Sequence, residues 1–203
     1  MSTETDVCNE ALGLIGQSPI TAIDDGSISA NRCLQFYAPL RDALLRSHHW
    51  NFALKWVQLA QDVTPPVAGF TFAYTLPADC LKVVNYGGSL PTSPTTIVSY
   101  IDPYQRTVVR YKIEGRKLVS NDGVAYIQYL RQVTNPAEWD GLFYQVVATW
   151  LASKLAGSLA KDPKMSAALL AQATNMIMPL ALAVDGQEGS IEPYVVDDLI
   201  WGR

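Results

Sequence analysis

Apolar positions near the amino terminus recur at helical spacing in two successive segments. The first segment ends at Gly16, and the second begins after an N-cap at Ser27 or Ser29. Pro39 lies inside the second segment and predicts either a kink or a helix in two pieces. Both segments are predicted helices, with apolar positions at Val7, Ala11, Leu12, Leu14 and Ile15, and at Ala30, Cys33, Leu34, Tyr37, Leu40, Leu44 and Leu45.

Beyond Trp50 the pattern changes to alternation and to short runs of β-branched and aromatic residues. Glu114-Gly115 is predicted to turn the chain between two of these runs, and Asn121-Asp122-Gly123 is typical of a hairpin loop. No helical segment separates the runs, so the middle third is predicted to be antiparallel β. The predicted extended segments are 50–60, 70–76, 81–86, 107–113, 117–119 and 124–130.

Helical spacing returns at Asn135, which is predicted to cap a helix with Pro136 in its first position and Glu138 in its first turn. Asp162-Pro163 ends this helix and starts a last one, which is expected to bend near Pro179. The first of these two helices has a broad apolar face, which is typical of a helix contacted on two sides. That face includes Trp139, Leu142, Phe143, Val146, Val147, Trp150, Leu151, Leu155 and Leu159.

These elements together predict an α+β fold in which a bundle of four helices flanks an antiparallel β insertion. Residues 1–50 and 135–186 are predicted to form the helical bundle, and residues 51–134 the β insertion. Residues 187–203 are predicted to be a flexible carboxy-terminal docking tail. A chain of 203 residues is long enough to bury a substantial core in this arrangement.

Composition narrows the classes of function. Apolar residues make up 49% of the chain and charged residues 17%, which fits a surface covered by partners or a large monomeric core. The net charge of −4 and the scattered basic residues argue against a wide nucleic-acid-binding face. Residues 165–184 are apolar but are interrupted by Gln172, Asn175 and Pro179, so no membrane span is predicted there. The acidic, polar amino terminus argues against a secretory signal.

The carboxy-terminal segment 190–203 is too apolar for a solvated tail. Asp185 to Gly189 precede it as a flexible break, so the segment is decoupled from the last helix. Each large apolar side chain left in water forgoes about 1.5–3 kcal/mol of burial. The segment is therefore expected either to pack on its own domain or to insert into another subunit, through Tyr194, Val195, Val196, Leu199, Ile200 and Trp201.

Candidate chemistry is sparse. His48 and His49 are the only histidines, and they are interpreted as the end of a helix, where a protonated imidazole suits the helix dipole. Cys8, Cys33 and Cys80 lack metal-ligand spacing and are predicted to be buried thiols. A thiol nucleophile formed by Cys80 with Asp79 and His48 is a weaker alternative. No cofactor or metal is predicted.

Two carboxylate pairs define an alternative function, because glycoside cleavage in a bacterial cell wall needs paired carboxylates. Glu138 with Asp140 is one pair, although a helix start explains it more simply. Asp197 with Asp198 is the other pair, and it lies on the docking tail. The same two tail carboxylates fit basic residues of a partner, or plain solvation, equally well.

Several short motifs follow one another along the chain. In this order and spacing they resemble tail tubular protein A and the head-to-tail adaptor proteins of short-tailed phages. The resemblance covers nearly the whole chain, its most specific part is 41–53, and 87–130 adds little to it. The motifs are residues 9–20, Asp24-Asp25-Gly26-Ser27, a helix with Cys33 and Tyr37, residues 41–53, residues 76–81 and the ending 197–203.

The resemblance implies a non-enzymatic structural protein of the virion, made in the host cytoplasm. It implies a dodecameric ring that joins the portal protein to the tail nozzle. DNA is expected to pass through this ring without specific binding, and no membrane is expected as a partner. The tail is then expected to bind the portal, and a soluble host binding domain is the competing class. The predicted portal-binding residues are Tyr194, Val195, Val196, Asp197, Asp198, Leu199, Ile200, Trp201 and Arg203.

A closed ring needs a heterologous interface, in which one face of each subunit meets a different face of its neighbour. The broad apolar faces of helices 135–161 and 163–178 are the predicted source of this contact. The residues predicted at the subunit interface are Trp139, Phe143, Trp150 and Leu155.

Overall fold

The computed structural model describes residues 2–87 and 111–188, and the fold is α+β as the sequence predicts. The helices are α1 (Glu4–Leu14), α2 (Ile28–Ser47), α3 (Gly141–Leu155), α4 (Pro163–Gln172) and α5 (Met178–Gln187). The strands are β1 (Leu54–Leu59), β2 (Phe72–Thr75), β3 (Cys80–Gly87), β4 (Tyr111–Glu114), β5 (Lys117–Ser120) and β6 (Ala125–Arg131). Single 3₁₀ turns lie at Asn51–Ala53 and Pro136–Glu138, and wider π turns at Ala156–Ala160 and Ala173–Ile177.

The helix α3 is the centre of the helical body. It packs against α1, α2, α4 and α5, so nearly all of its circumference is buried. Trp50 and Phe143 are fully buried at this centre, with their rings edge to face at 4.9 Å between centroids. The apolar core of the helical body therefore forms around one helix that neighbours enclose on all sides.

The two amino-terminal helices begin at the hydroxyl caps that such sequences favour. Thr3 caps α1, and its side chain and that of Asp6 bond each other's backbone in a capping box. Ser27 caps α2 by accepting a hydrogen bond from the amide of Ala30. The helix α2 continues through Pro39, so the predicted division into two pieces is wrong.

Hydrogen bonds between backbone groups and the side chains of Asn9 and Asp25 hold the loop between α1 and α2. Asn9 donates to the carbonyl of Ile20 at 3.0 Å and accepts from its amide at 2.7 Å. Asp25 accepts from the amides of Ser27 and Thr21 at 2.8 and 3.1 Å. These bonds fix the path of the chain into α2.

Asp25 makes the stability of this loop depend on pH. Hydrogen bonds from Ser27, and then from Thr21, lower the pKa of Asp25 to about 2, below the roughly 3.9 of an unfolded chain. A carboxylate with a lowered pKa adds stability above about pH 4, and this stability is lost as the pH falls towards 2. We expect Asp25→Asn to remove this part of the acid sensitivity in urea unfolding series. Parallel curves for the two proteins below pH 4 would contradict the prediction.

The strands form two antiparallel sheets, ordered β1-β6-β3 and β2-β5-β4. The predicted turn at Glu114-Gly115 is confirmed, because β4 and β5 pair through it and Gly115 has a φ of +62°. The hairpin predicted at 121–123 is wrong, since β5 and β6 lie in different sheets. Side chains of Leu59, Tyr74, Leu76, Cys80, Leu118, Ala125, Ile127 and Tyr129 fill the core between the sheets.

The contacts of Asp122 explain why segment 121–123 connects the two sheets instead of forming the predicted hairpin. Its carboxylate lies 2.7 Å from the hydroxyl of Tyr86 in the first sheet, and its carbonyl accepts from Tyr74 in the second at 2.5 Å. The neighbouring Asn121 accepts from the amide of Thr71 at 3.0 Å. The segment therefore satisfies polar groups of both sheets instead of closing a two-stranded ribbon.

The helix expected to begin after Asn135 begins later. Asn135 caps only the 3₁₀ turn Pro136–Glu138, and α3 starts after Asp140, which accepts from the amides of Leu142 and Phe143. Trp139 lies between the two caps, outside the helix, and its Nε1 donates to the carbonyl of Val133 at 2.9 Å. Asn135 and Asp140 are both residues that can cap a helix, and Asp140 is the one that caps α3.

Candidate interaction surface on the last helix

The elements α4 and α5 and the π turn between them form one continuous helix, Pro163–Gln187, called here the last helix. The predicted start is confirmed: Asp162 caps it by accepting from the amides of Lys164 and Met165 at 2.9 and 3.0 Å. Pro163 occupies the first position, where its missing N–H leaves no partner unsatisfied. The local sequence therefore determines where the last helix begins.

The inner side of the last helix packs on α3. Leu169, Ala173, Ala181 and Asp185 are buried at multiples of four residues. On an ideal α-helix a four-residue repeat drifts by about 40° per step, and the wider π turn at Ala173–Ile177 offsets that drift. The single stripe therefore keeps facing the body along the whole length.

The opposite side of the last helix, called the outer face, is uncharged and consists mainly of apolar and small residues, with Gln172, Thr174 and Asn175 as its exposed polar residues. Leu170, Met176 and Leu180 are 39%, 68% and 53% exposed. No charged residue occurs between Lys164 and Asp185. Single exposed apolar residues are ordinary, but a continuous face of this kind marks a contact surface. The remaining exposed residues of this stretch are Ala167, Ala168, Ala171, Gln172, Thr174, Asn175, Pro179 and Ala183.

By length and composition the last helix could cross a membrane, with a mean hydropathy of 1.6 and 17% of the tested window buried. This result disagrees with the expectation that residues 165–184 are too polar. Helices in the core of soluble proteins satisfy the same criteria. In this molecule the inner side of the last helix packs on α3, and Ser166 donates a hydrogen bond to the carbonyl of Ser153 at 2.7 Å.

A polar cluster ties the end of the last helix to the helical body. Asp185, only 6% exposed, accepts from the amide of Asn51 at 2.9 Å, and its other oxygen lies 3.0 Å from His48 Nε2. Asn51 also donates from its side chain to the carbonyl of Asp185 at 2.6 Å. A carboxylate near the carboxyl end of a helix opposes the helix dipole, so these bonds offset an unfavourable placement. This cluster, the Asp185 clamp, gave no signal in the sequence.

The structure places the four predicted interface residues differently from one another. Phe143 and Leu155 have no exposed surface in the single chain, so the prediction that they meet another subunit is wrong. The helices that pack around α3 cover both side chains. Trp139 is 9% exposed and reaches the surface by an edge, while Trp150 is partly exposed. A subunit contact at Trp139 or Trp150 stays a prediction.

The predicted portal-binding tail lies outside the described residues, which end at Glu188. The last helix continues past Pro179 through Gln187, so the flexible break predicted to begin at Asp185 is wrong for Asp185 to Gln187. The prediction concerns Tyr194, Val195, Val196, Asp197, Asp198, Leu199, Ile200, Trp201 and Arg203, and it stays untested.

The two histidines terminate α2 and are paired with different groups. His48 is the C-cap of α2 and belongs to the Asp185 clamp. Burial, and then the nearby Lys82 ammonium, lower the pKa of His49, which favours a neutral ring. That ring lies 3.1 Å from Lys82 Nζ and can accept its hydrogen bond. The position of this pair at a helix end is confirmed, whereas the expected protonated ring is not favoured at His49.

The three thiols are buried, as predicted. Burial raises the pKa of Cys80, so the thiol resists forming the nucleophilic thiolate. Its sequence neighbour Asp79 accepts instead from the hydroxyl of Tyr129 at 3.2 Å. Among residues 2–87 and 111–188, no three His, Cys, Asp or Glu side chains are grouped to hold a metal ion.

The first carboxylate pair is committed to structural bonds. Glu138 lies 2.6 Å from Arg131 Nη2, and Asp140 caps α3. A catalytic acid needs a raised pKa in an enclosed pocket, and neither carboxylate lines the groove between α1 and the start of α3. The helix-start interpretation is confirmed for Asp140, whereas Glu138 is bonded to a strand. The second pair, Asp197 and Asp198, lies outside the described residues.

An open groove of about 470 Å³ lies between α1 and the start of α3. Trp139 and Tyr144 supply aromatic surface, and Glu10 supplies a carboxylate at its rim. Burial, and then the Glu10 carboxylate, raise the pKa of Tyr144 to about 12, which keeps its hydroxyl protonated. We call this the α1 groove, and it is lined by Ser2, Glu10, Pro136, Ala137, Trp139, Gly141, Tyr144 and Gln145.

Two surfaces of the described chain, the outer face and the α1 groove, are thus available to other molecules. The chemistry-bearing side chains that the sequence singled out serve instead as caps, clamps and core. No family model matches this chain, and no curated protein is found to be similar to it.

Proposed function

We propose that this protein is a structural subunit of a ring that joins the portal of a short-tailed phage to its tail nozzle. The outer face of the last helix is the observation that carries the proposal. The helix has 25 residues and is about 38 Å long, and its outer face presents apolar side chains without charge. A subunit contact removes this surface from water, whereas a monomer leaves it exposed.

The motifs behind the phage resemblance support a structural role. Asn9 and Asp25 bond backbone groups of the loop between α1 and α2, and Trp50 lies at the centre of the core. His48 belongs to the clamp that holds the last helix. These side chains shape a scaffold, and none of these contacts leaves a reactive group poised for chemistry.

The charge balance agrees with DNA passing through the ring without specific binding. The chain has 19 acidic and 15 basic residues, so a channel lined by such subunits has few phosphate contacts. Each phosphate contact releases counterions and adds affinity, which would hold DNA in place. A neutral or acidic lining allows the DNA to move.

In this proposal the ring needs two kinds of contact. The outer face contributes to the contact between neighbouring subunits, which is heterologous because a closed ring requires it. Residues 190–203 supply the second contact, which is with the portal. The protein then resides in the neck of the virion and has no catalytic task.

The direct test mixes purified protein with its portal ring and images the sample by negative stain, with sedimentation in parallel. We expect a second ring of density on one end of the portal and a matching mass increase. Protein that stays separate from the portal at every concentration would contradict the proposed function and favour a soluble host binding domain.

Truncation after Gly189 is expected to abolish portal binding while the fold survives. The removed residues include Trp201, and a desolvated aromatic anchor at an interface contributes about 2 kcal/mol or more, roughly thirtyfold in affinity. Circular dichroism and thermal melting should match the full chain, because the Asp185 clamp and the cores are intact.

A matched control for the truncation is Asp197→Ala in the full-length chain. A rim charge exposed to solvent contributes about 1 kcal/mol or less, so portal binding should weaken only slightly. If the truncated chain unfolds instead, the tail belongs to the fold of its own subunit. In that case the assignment of residues 190–203 to the portal is wrong.

A further inference from the structure

The first helix and the last helix pack on opposite sides of α3. Tyr144 faces α1, where it lines the α1 groove beside Glu10. Ser153 faces the last helix, where its carbonyl accepts from Ser166. Nine residues separate Tyr144 from Ser153, a rotation of about 900°, or two and a half turns. The α1 groove and the outer face therefore lie on different sides of one subunit.

These two sides carry opposite charge. On the groove side Asp6 and Glu10 are exposed. At the start of the last helix Lys161 and Lys164 are exposed, and Lys154 lies in the last turn of α3. Asp162 lies between the first two lysines, and its carboxylate accepts the capping hydrogen bonds of the helix. Charges arranged in this way attract a second copy in one orientation and repel it in the reverse orientation.

The shapes match in the same sense. The α1 groove is open, and Trp139 and Tyr144 line it beside the Glu10 carboxylate. The outer face offers Leu170 and Leu180 beyond the two lysines, with small alanines between them that let another surface approach closely. An aromatic groove with an acidic rim suits an apolar helix with a basic start.

We propose that the start of the last helix of one copy docks in the α1 groove of the next copy, with Lys161 and Lys164 facing Asp6 and Glu10. This inference rests on the proposed ring and names the contact that builds it. Because groove and helix lie on opposite sides of α3, each docked copy presents a free groove or a free helix to another. Such a contact is heterologous and repeats until the ring closes.

A second copy explains these surfaces better than a lipid bilayer does. Insertion in a bilayer would strip the inner side of the last helix from α3 and pull the buried Asp185 from Asn51 and His48. It would leave the acidic groove without a role. Docking of a second copy covers both surfaces and leaves the inner side and the clamp intact.

The test uses two full-length variants that each break one side of the contact. Leu170→Glu with Leu180→Glu breaks the outer face, and Glu10→Lys with Gln145→Lys breaks the groove. All four positions are exposed or at the rim, so circular dichroism should match the wild type. Each variant alone should be monomeric in sedimentation velocity, where the wild type forms larger species. An equimolar mixture should form a dimer and stop there, because one intact helix meets one intact groove.

Charge reversal supplies a second measurement. Lys164→Glu should weaken self-association about tenfold or more, because it places like charges together. Adding Glu10→Lys to the same chain should restore part of the loss. Val67→Glu is the matched control, since Val67 is fully exposed on a loop of the β region, and it should change nothing.

Three outcomes would overturn the inference. Variants that stay monomeric when mixed would show that the α1 groove and the outer face do not bind each other. Groove variants that assemble like the wild type would place the contact elsewhere, with the proposed ring still standing. A wild type that floats with phosphatidylcholine vesicles and never self-associates would assign the last helix to lipid. Loss of portal binding by the wild type is a separate result, which contradicts the proposed function itself.

Discussion

Replacing Trp50 by alanine is expected to lower the free energy of unfolding by about 3–5 kcal/mol, the usual range for losing a buried aromatic side chain. Trp50 has no exposed surface, and its ring packs against Phe143 and lies 5.0 Å from His48 between centroids. Its Nε1 donates to the carbonyl of Leu44 at 3.0 Å, so the substitution also leaves a buried acceptor without its partner.

This loss is large against a total stability of about 5–15 kcal/mol for a domain of ordinary size. Urea unfolding followed by circular dichroism measures it without relying on the fluorescence of the removed indole. Trp56→Ala is the matched control, because Trp56 is 40% exposed on the edge strand β1. The control should cost about 1 kcal/mol. Equal losses for the two tryptophans would mean that the core is not centred where α2, β1 and α3 meet.

Replacing Asp185 by alanine is expected to cost about 2–4 kcal/mol and to loosen the last helix before the rest of the molecule. The amide of Asn51 loses its acceptor, and His48 loses its only partner among the described hydrogen bonds. Only one side of the last helix packs on α3, so the clamp supplies much of what holds its end. Hydrogen exchange should accelerate in residues 178–187 while α1 and α3 stay protected.

Two controls separate the clamp from a general charge effect. Asp185→Asn keeps an acceptor for Asn51 and removes the charge beside His48, so its cost should be smaller than that of alanine. Glu188→Ala removes an exposed carboxylate near the same helix end, and its stability should stay within about 0.5 kcal/mol of the wild type. If the alanine variant at 185 melted uniformly, without earlier exchange at the last helix, the clamp would not be a separate unit.

Local signals in the sequence predicted the element types well, because they act within a few residues. The capping hydroxyl of Ser27, the Asp162-Pro163 start and the Glu114-Gly115 turn all lie where the chain makes these features. The start of α3 was misplaced because two local signals lie close together. Asn135 and Asp140 are both good caps, and only the packing of Phe143 into the core decided between them.

The candidate surface was predicted only in part, because exposure depends on neighbours that are distant in sequence. The sequence pattern of a helix with a broad apolar face does not show whether that face is buried or exposed. Phe143 and Leu155 are buried, whereas Leu170 and Leu180 are exposed. Helices 135–161 and 163–178 therefore gave equal predictions of an interface, and the structure separated them. The α1 groove brings Glu10 beside Tyr144 across more than a hundred residues, which no local spacing indicates.

The sequence by itself determined the α+β class, the ends of most helices and the balance of charge, since these follow from periodicity, caps and composition. The tertiary structure alone decided which sheet receives each strand, which apolar helix stays uncovered and which polar groups meet at Asp185. The physical reason is that burial and long-range hydrogen bonds are properties of pairs of segments. A single segment carries its own propensity, but its partners exist only once the chain has folded.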